Sequence, residues 1–108
     1  MDLKELIQLI EKRPQMFIGN YGLETLSAFI NGFLFSNNIA HKEDYISIAF
    51  ENQFHNWTRR ALEKRTGIEF DEERNYVYYI NKTYQDERHR LKIFFELCNE
   101  FFQVIDYV

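Results

Sequence analysis

Apolar residues at Leu3, Leu6, Ile7 and Ile10 recur at three- and four-residue spacing, which predicts a helix from Asp2 to Arg13 that buries one face. Asp2, with Glu5 three residues later, has the form of a capping box. Pro14 disfavours helical geometry at Arg13 and has no N–H to donate, so the helix is expected to stop there. Gln15 to Tyr21 then reads as a connector, in which Met16, Phe17 and Ile18 form an apolar plug and Gly19, Asn20 and Gly22 suit a tight turn. Leu23, Leu26, Phe29, Ile30, Phe33 and Leu34 resume the helical period, predicting a well-buried second helix to about Ser36, with Asn37 and Asn38 as its stop. Gly32 inside that helix costs about 1 kcal/mol relative to Ala, an outlay that leads us to expect close packing against a neighbouring helix.

Tyr45 to Arg65 supports two patterns. Ile46, Phe50, Phe54, Trp57 and Ala61 follow steps of three and four, while Ile46, Ile48 and Phe50 alternate as in a strand. A lone strand needs a pairing partner, and the other candidate is Tyr76 to Ile80, where Val77 and three tyrosines raise strand propensity. The helix is preferred, ending at Thr66-Gly67, with Gly67 as its cap. From Asp86 to Asp106 the stripe Leu91, Phe94, Phe95, Cys98, Phe101, Phe102 and Ile105 predicts a long amphipathic helix whose acidic start suits the positive end of the helix dipole. The expected architecture is all-α, a single compact domain of four or five helices over residues 1–108. The alternative is α+β, with a short two-stranded ribbon formed by 45–50 and 76–80. The expected core contains Leu6, Ile10, Phe17, Leu26, Ile30, Phe50, Trp57, Leu91, Phe95, Cys98 and Phe102.

Composition adds an excess of rings: eleven Phe, seven Tyr and one Trp make 18% of the 108 residues, enough to build a small core and still supply a contact surface. One Pro and four Gly leave little material for linkers. The net charge of −4 is the wrong sign for a module that gains its affinity by neutralising phosphates, and direct nucleic-acid binding is disfavoured. A basic protein is the natural complement of such a surface. Charges interrupt every apolar run in Met1–Arg13, so nothing there resembles a signal peptide, and no stretch has the run of about 20 apolar residues that spans a membrane. With a single cysteine that can form no internal disulfide, the expected location is cytoplasmic.

Candidate chemistry is sparse. The histidines at 41, 55 and 89 have none of the one-turn spacings that put two metal ligands on one helix face. Asp86, Glu87 and His89 are adjacent enough to point in different directions. Cys98 lies within the apolar stripe, where a thiol acts as a small hydrophobe. The glycines match neither the dinucleotide fingerprint nor the phosphate-binding loop. No cofactor, metal or catalytic residue is therefore expected. Basic residues at Arg59-Arg60, Lys64-Arg65 and Arg88 to Lys92 alternate with Glu63, Asp86 and Glu87 and read as mixed-sign helix surfaces. What remains is a set of carboxylates, Asp71, Glu72, Glu73, Asp86, Glu87, Glu96 and Glu100, able to form a negative surface for Lys and Arg of a partner.

The stretch Glu11-Lys-Arg-Pro-Gln-Met-Phe-Ile-Gly19, followed by Leu23, Leu26, Phe29, Ile30, Asn31, Gly32 and Phe33, resembles a group of small bacterial proteins. Their chains open with a helix, an Arg-Pro-x-Met-Tyr/Phe-Ile-Gly turn, and a helix ending in a Gly-aromatic pair. Members of the group look like immunity proteins of bacterial toxin systems, including contact-dependent growth inhibition. The likeness is strongest over about the first 35 residues and returns in Trp57 and in the pattern Asp86-Glu87 to Phe94-Phe95-Glu96-Leu97 and Phe101. Lys12 to Gly19 is also similar to the Arg-Pro-Gly-Met-Tyr-Ile-Gly segment of the gyrase B ATPase domain, but it departs at Gln15, and the Asn-bearing metal helix and Gly-rich lid of that ATPase have no counterpart here. The resemblance implies a monomer that binds a cognate toxin one to one and occludes it, the acidic charge pointing to a basic toxin such as a nuclease. Because immunity proteins diverge at the toxin-contacting surface, it carries over no binding residue. A nucleic-acid-binding regulator, a small enzyme and a homo-oligomer are the alternatives; respectively, they require merged basic groups, converging titratable groups, and self-association through the aromatic excess.

Overall fold

The computed structural model describes residues 1–15, 22–40 and 44–106, which form five α-helices: α1 (Leu3–Lys12), α2 (Leu23–Ile39), α3 (Tyr45–Thr66), α4 (Tyr76–Thr83) and α5 (Glu87–Asp106). The architecture is all-α, and the two-stranded ribbon is not formed; no strand occurs among the described residues. Asp2 begins α1 by accepting the Glu5 N–H at 2.8 Å, and Leu3, Leu6, Ile7 and Ile10 are its buried row. Arg13 leaves helical geometry immediately before Pro14, its N–H still bonded to the carbonyls of Leu9 and Ile10. The expected connector lies outside the described residues from Met16 to Tyr21, and with it Phe17, expected in the core.

The ambiguous 45–66 segment is one helix of 22 residues. Asp44 caps it through the Ser47 N–H at 2.7 Å, and Gly67 closes it in the left-handed region at φ 75°, donating to the Glu63 carbonyl. Burial follows the helical row Phe50, Phe54, Thr58 and Leu62, while Ile48 stays exposed, so the local alternation carries no structural weight. The same holds at 76–83. Asn75 accepts the Tyr78 N–H at 2.9 Å and starts a helix, and the buried residues Tyr76, Tyr79 and Ile80 sit at helical, not alternating, spacing. Strand propensity yields here to a cap and to tertiary burial.

The core runs through all five helices and is built from rings. Phe50 and Phe54 stack at 4.6 Å, and Phe54 also meets Tyr76 and Phe101 edge-on, each at 5.2 Å. Phe94 packs on Tyr76 at 5.3 Å, and Cys98, Phe101 and Phe102 continue the α5 stripe, all buried. Trp57 and Leu91, expected within the core, sit half-buried at its margin. Gly32 corrects a second expectation: it is exposed, and among the described residues a Cβ added there would meet nothing within 4 Å, so it marks no close helix approach among them. Among the described residues no helix is long and apolar enough to cross a membrane.

Candidate interaction surface

The seven carboxylates singled out in the sequence are spread over the α3–α4 loop and α5, and five are engaged within the molecule. Glu96 and Glu100, one turn apart on α5, both face Arg65 at the end of α3, at 3.6 and 2.5 Å. Glu72 pairs with Arg74 at 2.9 Å in the loop before α4. Glu87 pairs with Arg90 at 2.9 Å and accepts the Leu23 N–H at 3.3 Å, which makes it part of the start of α2. Asp86 accepts the His89 N–H at 3.0 Å and caps α5. Asp71 and Glu73 are exposed and form no ion pair among the described residues. Thirteen residues separate Glu87 from Glu100, so they lie about 20 Å apart along α5.

The basic groups are dispersed as well. Arg59 donates to the Phe70 carbonyl at 2.6 Å, while Glu63 accepts the Phe70 N–H at 3.0 Å, and together they clamp the loop after α3. Arg90 donates to the carbonyls of Tyr84 and Asn81 and fastens the α4–α5 turn. Cys98 is fully buried, and burial pushes its thiol well above the ordinary range. Among the described residues no three His, Cys, Asp or Glu side chains come together in the manner of metal ligands.

The surface that sequence reasoning misses belongs to α2. Its seventeen residues, LETLSAFINGFLFSNNI, contain one charged side chain, Glu24. Leu23, Leu26, Ile30 and Leu34 face the core, and on the opposite side Phe35 and Ile39, each 65% exposed, stand one turn apart. Gly32 and Ala28 are exposed on the same side, and Phe29 is partly exposed beside them. Reading α2 as a well-buried helix that stops at about Ser36 hides this face, because an apolar side chain looks the same in sequence whether core or a partner covers it, and Ile39 falls past the expected stop.

Between this face and α3 lies a groove of about 240 Å³. Asn31, Leu34, Phe35 and Asn38 line it from α2, Phe50, Glu51 and His55 from α3, and Tyr76 from α4. His55 is stacked on Tyr76 at 5.3 Å, and its Nδ1 accepts the Tyr76 N–H at 3.1 Å. An imidazole that accepts at Nδ1 is neutral and carries its proton on Nε2. Desolvation also lowers its pKa, so the neutral form is favoured twice over. Glu51 is exposed and forms no ion pair among the described residues, which leaves its carboxylate as the full charge of the groove. No protein-family model, curated protein or solved structure matches the chain.

Proposed function

We propose that this protein is an immunity protein, which binds a cognate bacterial toxin in the cytoplasm and neutralises it by covering its active or substrate-binding surface. The observation that carries the reading is the outer face of α2, where Phe35 and Ile39 are two-thirds exposed on a helix with a single charged residue. Exposed apolar patches of this kind mark protein–protein contact sites, and aromatic anchors are where binding energy concentrates. The net charge of −4 and the carboxylates of Glu51, Asp71 and Glu73 suit a partner with a basic face, such as a nuclease. The resemblance of residues 11–33 to immunity proteins supplies the biological class. The mode of action is steric and electrostatic occlusion.

Titration calorimetry against the product of the adjacent upstream gene, at two salt concentrations, tests the reading. One-to-one binding with a Kd near nanomolar that weakens with salt is expected. Absence of binding at micromolar concentrations to any product of the neighbouring genes sinks it.

A further inference from the structure

The groove between α2 and α3 has a composition that selects its occupant. Its volume of about 240 Å³ falls below the roughly 300–1,000 Å³ of sites for drug-sized ligands, and suits a single side chain. An anion is disfavoured by Glu51, and a purely apolar group packs on Leu34, Phe35 and Phe50 but uses neither the carboxylate nor the amides of Asn31 and Asn38, which stay with water, whereas a side chain with an apolar stem and a charged head uses both kinds of lining. A cation meets none of these objections. Glu51 supplies the charge, the two asparagine side chains supply carbonyl acceptors, and Phe35 presents an exposed ring at the rim. His55, with Nδ1 already occupied by the Tyr76 N–H, is neutral and does not repel.

Among cationic side chains, the planar guanidinium fits this set best. Its fork of five donors can bond a carboxylate in bidentate fashion while reaching further acceptors, and it stacks on aromatic faces. An ammonium uses the ring and the carboxylate as a point charge and gains less from two spaced amides. We propose that the α2–α3 groove is the receptor for one arginine side chain presented by the protein partner, anchored by Glu51 and flanked by Phe35. The source of the arginine rests on the immunity reading, whereas the groove's preference for a guanidinium does not.

The test is an NMR titration of the isotopically labelled chain with Nα-acetyl-arginine N-methylamide, run beside the matching citrulline and lysine compounds. Saturable shifts confined to residues lining the groove, with a Kd in roughly the millimolar range expected of so small a ligand, support the site. The citrulline compound, which has the same shape without the charge, is expected to bind at least about tenfold more weakly, and Glu51→Gln to remove the preference. Glu51 is exposed, so this variant should retain the wild-type circular dichroism spectrum. Shifts that fail to saturate, that centre on 71–73 or 96–100, that citrulline or lysine reproduces with equal affinity, or that survive Glu51→Gln overturn the proposal. Because the probe contains no toxin, such a result counts against the groove alone, while failure of the calorimetric titration counts against the immunity reading.

Discussion

Tyr76 ties three helices together through one residue. Its N–H donates to His55 on α3, its hydroxyl donates to Ser27 on α2 at 2.9 Å, and its ring packs on Phe54 and Phe94. Burial pushes the phenol far above its ordinary range, so the hydroxyl remains a donor at any physiological pH. Tyr76→Phe keeps the ring and deletes the hydroxyl, and a urea unfolding curve should show a loss of about 1 kcal/mol with an unchanged slope. His55 sets a pH dependence at the same place. Its folded pKa is lowered below 6.5, so the unfolded chain binds the proton more readily than the folded one. The stability it contributes is therefore fully present above about pH 6.5 and is lost as pH falls through the folded value. Among the described residues, Glu51 on α3 is the one charged group lining the groove with it; α2 offers the neutral Asn31 and Asn38, and α4 the protonated Tyr76. His55→Asn keeps an acceptor near the Nδ1 position but cannot titrate. The urea midpoint of the native chain should accordingly fall further between about pH 7.5 and about pH 5.5 than that of the variant.

Helix α2 has no cap of its own, because Gly22 offers no side chain at the position where Ser, Asp or Asn would accept an N–H. The acceptor comes instead from α5, where Glu87 reaches the Leu23 N–H. A Cβ at residue 22 would lie 2.6 Å from the Glu87 carboxyl carbon, so the glycine makes room for the borrowed cap. Glu87→Ala should cost about 1 kcal/mol and raise amide exchange in the first turn of α2, and Glu87→Gln, which keeps an acceptor, should cost less. The same contact shows where legibility ends. The caps at Asp2 and Gly67 act within a few residues and can be read from order alone, as can the α5 stripe, whose period persists over about four turns. The role of Glu87 depends on a residue 64 positions away, and in the sequence it is one more carboxylate at a helix start. Short α4 is ambiguous for a related reason: eight residues hold too few periods to separate helix from strand, and its capping and burial decide the matter.

On the scale of the whole molecule, the net charge of −4 conceals an uneven division of labour. Glu72, Glu87, Glu96 and Glu100 are held by Arg74, Arg90 and Arg65, so much of the acidic set expected to meet a partner is spent on joining elements of this chain. Such exposed pairs are worth little in stability, on the order of 0 to 1 kcal/mol each, yet they dampen the local field at those positions. In the proposed complex, the unpaired carboxylates Glu51, Asp71 and Glu73 would supply long-range attraction and the nearly uncharged face of α2 the contact energy. Charge and apolar area then control different steps of association. Field effects act on encounter, and buried anchors act on the lifetime of the complex. If the partner is the proposed toxin, raising salt from about 50 mM to about 300 mM should lower the association rate on the order of tenfold while leaving dissociation nearly constant. Phe35→Ala and Ile39→Ala should do the opposite, each speeding dissociation by about tenfold, because truncating an anchor costs 1 kcal/mol or more at the centre of an interface. Both side chains are largely exposed in the free chain, so thermal unfolding of the two variants should match that of the parent. Surface plasmon resonance resolves the two rates, and equal sensitivity of both rates to both perturbations would place the contact somewhere other than α2.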